Sequence, residues 1–229
     1  MSFNFIKLPE LDFDLEAATL EHGRFYTTPT GEKYPSVTTI MPVKEEVLTK
    51  WRERVGVRTA EKITRQAGNR GTKMHSLCED YMKGNLTQMK IRSLMPFDKM
   101  LFMQVKPFID DHVDNIYCME QALYSDTLKL AGRVDLIAEW KGKLSIIDFK
   151  TSIKEKKEEW ITNYFVQCTA YAEMFEYLTK KPIDDIIVLI GTEDQLPQVF
   201  ERKKESYLPI LHKYRSEFIA VNSERKEVR

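Results

Sequence analysis

The spacing of apolar and polar residues divides the chain into a mainly helical first half and a strand-rich second half. Residues 1–35 have no regular period and are predicted to be irregular, and residues 34–40 are predicted to be extended. Apolar residues three and four positions apart then predict helices, which Gly68 and Gly71 interrupt. The predicted helices cover residues 43–66, 72–83 and, with breaks near Pro96 and Pro107, most of residues 86–117.

The pattern changes to short apolar and alternating segments after residue 118, which predicts a sheet. The predicted strands cover residues 119–124, 130–140, 144–150 and 185–191, and residues 198–202 are predicted to pair with the last of these. The predicted helices of this half cover residues 158–179 and 207–221. The order of elements predicts an α/β (α+β) fold with a mixed central sheet flanked by helices and an N-terminal helical layer.

Neither an internal repeat nor a linker is visible, so the sequence predicts a single domain over residues 1–229. Within it, residues 34–118 form the helical layer, residues 119–192 the sheet core, and residues 193–229 a C-terminal strand and helix. The composition, 42% hydrophobic and 31% charged, is that of an ordinary globular protein. Lysines plus arginines and aspartates plus glutamates both number 35, so the zero net charge neither supports nor excludes a nucleic-acid partner.

The cysteines and the N-terminus also limit the protein class. The three cysteines are scattered, which excludes a Cys-x-x-Cys zinc site and is typical of reduced thiols. No segment approaches the roughly 20 apolar residues of a membrane span, and the N-terminus has no basic segment followed by an apolar run. We therefore expect a protein without a membrane partner in the cytoplasm, the host cytoplasm if a phage encodes it.

The predicted hairpin around Lys141 and Gly142 brings two carboxylates together. If these two residues form the turn, the strands pair one for one and Asp135 lies opposite Asp148. Side chains so placed share a face of the sheet, with Cβ atoms about 4.5–5.5 Å apart. Lys150 lies on that same face because side chains alternate along a strand.

Two facing carboxylates repel each other unless a cation lies between them. Oxygen ligands suit Mg²⁺ or Mn²⁺, which can polarise a phosphodiester and lower the pKa of a bound water. A neighbouring lysine can orient or deprotonate that water and stabilise negative charge in the transition state. Asp135, Asp148 and Lys150 are therefore the predicted catalytic residues of a phosphodiester hydrolase.

Asp135 followed by the run 148–150 (DFK) resembles the PD-(D/E)XK nuclease superfamily. Four further segments are similar to its RecB-type exonuclease branch, in the group of the mitochondrial genome maintenance exonuclease and its phage relatives. These segments are residues 35–40 (PSVTTI), 71–75 (GTKMH), 131–135 (AGRVD) and 167–171 (QCTAY). Each segment alone is weakly specific, and their shared order makes the resemblance specific. The resemblance extends over roughly residues 34–192 and implies a restriction-endonuclease-like core.

The resemblance implies a role for several residues. It makes His75, Asp135, Asp148 and the backbone carbonyl of Phe149 the metal ligands, with Mg²⁺ or Mn²⁺ as the cofactor. It makes Gln167 and Tyr171, four residues apart on one helix face, a pair that supports the site and contacts the DNA backbone. The cysteines of the iron–sulfur members of the branch are missing here, so we expect no iron–sulfur cluster.

Four other residues are weaker candidates. Glu79 shares the helix face of His75 and is as well explained as an exposed glutamate. Glu120, on the strand before Asp135, can reach the same site. Ser36 and Thr38 either bind a phosphate or cap the helix that follows.

The function that these residues favour is a metal-dependent DNA exonuclease acting on single-stranded or frayed ends in recombination, repair or replication. DNA is the expected partner, together with replication or recombination proteins. Two alternatives remain open: a structure-specific endonuclease on the same core, and a catalytically silent nucleic-acid-binding module. Polarity, strand preference, DNA against RNA and oligomeric state cannot be predicted from the sequence.

Overall fold

The computed structural model describes residues 3–42, 45–193 and 196–227, with side chains up to residue 222. The N-terminal strands are β1 (Glu16–Leu20), β2 (Gly23–Thr27) and β3 (Lys33–Pro35). The helices that follow are α1 (Glu45–Val55), α2 (Val57–Met82), α3 (Gln88–Ser93) and α4 (Pro96–His112). The remaining elements are β4 (Val113–Ser125), β5 (Leu130–Trp140), β6 (Lys143–Ser152), α5 (Thr162–Thr179), β7 (Asp185–Thr192), β8 (Gln198–Lys203) and α6 (Leu208–Glu227).

The central sheet has the strand order β4-β5-β6-β7-β8 and is mixed. Strands β4, β5 and β6 are antiparallel neighbours, β6 and β7 are parallel, and β8 is antiparallel to β7. A parallel pair needs a crossover connection, which α5 provides between β6 and β7. The predicted α+β fold with a mixed sheet flanked by helices is therefore confirmed.

Helices cover both faces of this sheet, as the alternation along β6 shows. Ile146 is buried in the same cluster as Phe165 of α5. Ile147, the next residue, is buried in the same cluster as Phe102 of α4. Both faces of β6 are thus shielded from water, which explains why its sequence is nearly continuous in apolar residues.

The predicted hairpin between β5 and β6 is confirmed in its turn and in its register as far as Leu136 and Ile147, but the predicted pair of Asp135 and Asp148 is not formed. Lys141 and Gly142 have φ of 53° and 75°, the left-handed values that a two-residue type I′ turn requires. Trp140 pairs with Lys143, and the pairing continues to Leu136 and Ile147. Beyond that pair β5 and β6 both continue, but no further pairing joins them within the described residues. The two strands therefore form a fork.

The predicted break at Gly68 and Gly71 is wrong. The chain breaks earlier, at Gly56 with φ of 84°, and α2 then runs without interruption to Met82. A glycine inside a helix costs only about 1 kcal/mol. The buried face of α2, which includes Leu77, offsets that cost. Val43 and Lys44, the predicted start of this helical region, lie outside the described residues.

Three other predictions differ from the structure. Residues 1–35 are not irregular throughout, because β1, β2 and β3 form a small antiparallel sheet. Residues 34–40 are extended only to Ser36, which bridges Ala131. Strand β4 begins at Val113 rather than at residue 119, so the end of the predicted helical layer belongs to the sheet.

Pro107 does not break its helix either, since it lies inside α4. A proline removes one helical hydrogen bond, and the buried residues of α4, including Phe102 and Ile109, hold the helix in place. The other predicted elements differ from the observed ones only at their ends. Within the described residues, no helix has the length and apolar character needed to cross a bilayer.

Candidate active site

The fork between β5 and β6 is the centre of the candidate site. Beyond the last pair of the hairpin, the backbone N–H of Phe149 donates a hydrogen bond to Asp135 Oδ2 at 2.9 Å. A side chain thus replaces the backbone carbonyl that would continue the ladder. Asp135 is 8% exposed, so its carboxylate is fixed between the two strands and shielded from water.

Helix α2 brings His75 into the fork. Its Nε2 lies 2.7 Å from the carbonyl oxygen of Phe149. On the other side of the ring, Nδ1 lies 3.4 Å from Asp135 Oδ1 and 3.7 Å from Glu120 Oε1. Burial alone would lower the pKa of His75, but the carboxylates of Glu120 and Asp135 outweigh it and raise the pKa to about 9.

Glu120 enters the same cluster from β4. Its neighbours Met119 and Gln121 pair with Leu136 and Val134, which places Glu120 across from Asp135. The backbone of Glu120 is left-handed, with φ of 49°. Such a conformation costs on the order of 1–3 kcal/mol in a residue other than glycine.

The contacts of Glu120 offset that strain and orient its side chain. The guanidinium of Arg133 donates a hydrogen bond to the Glu120 carbonyl oxygen. One ligand atom from each of His75, Glu120 and Asp135 lies within 4.8 Å of the others. Glu120, a weaker candidate in the sequence, therefore lies with His75 and Asp135.

Asp148 and Lys150 form an ion pair on the α5 side of β6. Asp148 is 1% exposed, and neither of its oxygens accepts a hydrogen bond of regular geometry from a described residue. Burial raises the pKa of Asp148 to about 6, with Lys150 opposing the shift and Asp135 adding to it. Burial would lower the pKa of Lys150, but the Asp148 and Asp135 carboxylates raise it above its usual range.

One face of α5 covers this ion pair. The ring centroid of Tyr164 lies 5.2 Å from Lys150 Nζ. Gln167 and Tyr171 share the face, and Gln167 Nε2 donates a hydrogen bond to the Tyr171 hydroxyl at 3.1 Å. The sequence reasoning missed Tyr164, although its spacing of three and seven residues from Gln167 and Tyr171 was a usable signal.

Tyr171 also depends on a glycine of β5. A Cβ added at Gly132 would lie 2.8 Å from Tyr171 Cε1, closer than real contacts allow. Gly132 is therefore needed for the ring of Tyr171 to approach the strand that carries Asp135. This contact gives the run 131–135 a structural reason for its glycine.

The remaining candidates lie apart from these contacts. Ser36 Oγ is within hydrogen-bond distance of the hydroxyls of Thr38, at 3.0 Å, and Thr39, at 2.8 Å. These bonds form a turn after β3, and α1 begins too far away, at Glu45, to be capped by it. Glu79 pairs with Lys83 at 2.5 Å along α2.

The donor set fits a divalent cation. The carboxylates of Glu120 and Asp135 meet the imidazole of His75, which also contacts the Phe149 carbonyl. Carboxylate and carbonyl oxygens suit Mg²⁺ or Mn²⁺. The buried carboxylate of Asp148, without a regular hydrogen bond, is a costly arrangement that a cation would relieve. In the described arrangement Asp148 contacts Lys150 rather than the cluster of His75, Glu120 and Asp135.

Comparisons with known proteins show what the chain is similar to. Residues 104–223 match the sequence profile of the PD-(D/E)XK nuclease superfamily. Mitochondrial genome maintenance exonuclease 1 of Homo sapiens is 29% identical over 149 residues, covering 60% of this chain and 42% of that protein. The Mus musculus protein of the same name is 27% identical over 131 residues, covering 53% of this chain and 38% of that protein.

The matched part of the chain thus spans about two-fifths of these relatives, between 38% and 42% of their lengths. Among solved structures, a candidate exonuclease from Eubacterium rectale superposes with a TM-score of 0.45. Its sequence is 14% identical, and the match covers 66% of each chain.

Proposed function

Because the chain belongs to the PD-(D/E)XK nuclease superfamily, we propose that it is a divalent-metal-dependent DNA exonuclease acting on single-stranded or frayed ends. Membership makes the protein a nuclease, an enzyme that hydrolyses nucleic acid. The observation that carries the metal dependence and the catalytic residues of this proposal is the fork, where Asp135 and Asp148 lie on diverging strands with Lys150 beside Asp148.

Each residue of the fork has a role in this proposal. Asp135, Asp148, His75 and the Phe149 carbonyl would hold Mg²⁺ or Mn²⁺, together with Glu120. When bound, such an ion polarises a phosphodiester oxygen and lowers the pKa of a coordinated water.

Lys150 lies beside these ligands, and its ammonium stabilises negative charge that develops on the phosphate. Gln167 and Tyr171 support the site from α5; Tyr171 is buried, so the contact with the DNA backbone falls to the partly exposed Gln167. Ser36 and Thr38 are the candidates for a more distant phosphate contact, since both hydroxyls belong to one turn.

A nucleic-acid partner is supported by the surface of α1 and the first half of α2. None of the residues of α1 that the structure describes is buried, so this surface is open to a partner. Its cations favour a polyanion and make binding salt-dependent. They are Lys50, Arg52, Arg54, Arg58, Lys62 and Arg65, and Lys44 lies outside the described residues.

The relatives add support for DNA and for an exonuclease, because both carry the name mitochondrial genome maintenance exonuclease. A role in recombination, repair or replication, with partners from those processes, belongs to the same proposal. An endonuclease on the same core and a silent binding module are the competing outcomes.

The proposal is tested with end-labelled DNA and RNA strands of one sequence, incubated with Mg²⁺, Mn²⁺ or EDTA. Stepwise shortening of the DNA with metal, and its loss in EDTA and in Asp148→Ala, is the expected result. Lys143→Ala, at the exposed end of β6 far from the fork, serves as the matched control on the same strand. Binding without cleavage would indicate the silent module, and preferred cleavage of RNA would contradict the DNA assignment.

A further inference from the structure

A cleft of about 580 Å³ lies beside the fork, between α2 and the first turn of α4. Arg70 in its wall donates a hydrogen bond from Nε to Thr151 Oγ1 at 3.1 Å. Thr151 directly follows Lys150 on β6. Arg70 also precedes His75 by five residues of one helix, about 7.5 Å along its axis. The cleft is therefore next to the candidate active site.

One face of α2 supplies polar groups to this cleft. Gln66, Asn69 and Lys73 follow each other at spacings of three and four residues, which places them on the same side of the helix. Gln66 and Asn69 are exposed, and each carries both hydrogen-bond donors and an acceptor. Such amides can bind the polar edge of a nucleobase.

The opposite wall supplies an aromatic surface. Phe97 lies in the first turn of α4 and is 40% exposed, a large fraction for a phenylalanine at a cleft. Proteins that bind single-stranded nucleic acids often stack bases on aromatic side chains. Such stacking accepts any base, because every base has a flat aromatic face.

The charges of the wall argue against a simple phosphate site. Arg70 is paired with Glu193, so its charge is balanced. Lys73 has no ion-pair partner in the part of the chain that the structure describes, and Asp98 adds a carboxylate to the same wall. Two cations and two carboxylates give no net attraction for an anion, whereas a ring and two amides suit an uncharged base.

We propose that this cleft binds the base of a nucleotide close to the scissile phosphate, with Phe97 stacking on the base and Gln66 and Asn69 contacting its edge. The inference rests on the proposed function, since the base belongs to the substrate strand. Lys73 contacts the phosphate of that nucleotide, because it is the cation of the cleft wall without an ion-pair partner among the described residues. The cleft thus positions the strand for the residues of the fork.

The test is fluorescence anisotropy with labelled single-stranded DNA in Ca²⁺, together with oligonucleotides in which one abasic position is moved along the strand. Phe97→Ala is expected to weaken binding about ten-fold, the scale of one lost stacking contact. Phe97→Trp, which keeps an aromatic ring, is expected to bind like wild type. Met103→Ala removes another exposed apolar side chain of α4 outside the cleft and is the matched control.

The abasic series identifies the nucleotide. In wild type one abasic position weakens binding, and in Phe97→Ala that same position has no further effect. The base site would be overturned if the abasic position weakened binding equally in both proteins, or if Phe97→Ala bound like wild type. In either case, cleavage by wild type in Mg²⁺ would still support the proposed function. A wild type that neither binds nor cleaves any nucleic acid would overturn both.

Discussion

Lys150 lies between Asp148, with which it forms an ion pair, and Tyr164, whose ring centroid is 5.2 Å from the lysine Nζ. A cation over an aromatic face is attracted by the electron density of the ring. Tyr164 lies on α5 and Asp148 on β6, so the ammonium is held by two elements of the fold. This arrangement fixes the position of the lysine at the fork.

Replacing Tyr164 should therefore reduce the cleavage rate through Lys150. Tyr164→Leu is expected to lower the single-turnover rate about ten-fold, because a cation–π contact of roughly 1 kcal/mol or more is lost. Tyr164→Phe keeps the ring and should restore most of the rate, while KM changes little in either variant. Equal rates for Tyr164→Leu and wild type would contradict the positioning role.

Lys150 itself should matter far more than its neighbours on the strand. Lys150→Ala is expected to lower the single-turnover rate by ~10²-fold or more, the scale of a positioned electrostatic or acid–base group. DNA affinity should change much less, and Lys143→Ala should cleave like wild type. Rapid-quench measurements on both variants, after circular dichroism shows that each is folded, decide the matter. A wild-type rate for Lys150→Ala would show that the lysine has no catalytic role.

The structure separates the two weaker glutamate candidates, and metal titration can test that separation. Glu120→Gln is expected to weaken Mn²⁺ binding about ten-fold or more, because its carboxylate lies within 4.8 Å of ligand atoms of His75 and Asp135. Glu79→Gln should bind Mn²⁺ like wild type, since Glu79 pairs with Lys83. Isothermal titration calorimetry compares the two. If Glu120→Gln bound Mn²⁺ as tightly as Glu79→Gln and wild type, Glu120 would not be a metal ligand.

The raised pKa of His75 predicts how the stability of the metal-free protein depends on pH. Protonated His75 stabilises the fold fully below its ordinary pKa of 6.5, and this stabilisation is lost as the pH rises to about 9. The shift of the His75 pKa corresponds to at most about 3 kcal/mol of unfolding free energy. Solvent screening at the partly exposed ring makes the real contribution smaller.

Urea unfolding in EDTA at several pH values between 6 and 9 measures this contribution. The free energy of unfolding of wild type should fall more steeply over that range than that of His75→Gln. His22→Gln, at an exposed histidine outside the site, should follow wild type. Parallel curves for wild type and His75→Gln would contradict the ion pairs of His75 with Glu120 and Asp135.

The sequence predicted the hairpin of β5 and β6 because local rules determine it. A two-residue turn at Lys141 and Gly142 sets the register of every following pair, and strand alternation then places Asp148 and Lys150 on one face. It did not predict that the pairing stops at Leu136 and Ile147. That fork depends on Asp135 bonding to the backbone of β6, which only the folded chain reveals.

Other features depend on tertiary packing and could not be read locally. Helix α2 passes through Gly68 and Gly71 because its buried face packs on the sheet, which local propensity does not describe. Strand β1 was not predicted because all of its residues are exposed, so buried and exposed positions do not alternate along it. Glu120 lies in the cluster with a left-handed backbone, a conformation that no propensity assigns to glutamate.

The proposal that the enzyme works from a free strand end is tested most directly by comparing linear with closed-circular single-stranded DNA in Mg²⁺. The two substrates share sequence, charge and single-stranded character, so they differ only in having an end. We expect the linear strand to be degraded while the circle survives the same conditions, and EDTA to protect both. Degradation of the circle at a comparable rate would contradict the exonuclease assignment and leave an endonuclease on the same core.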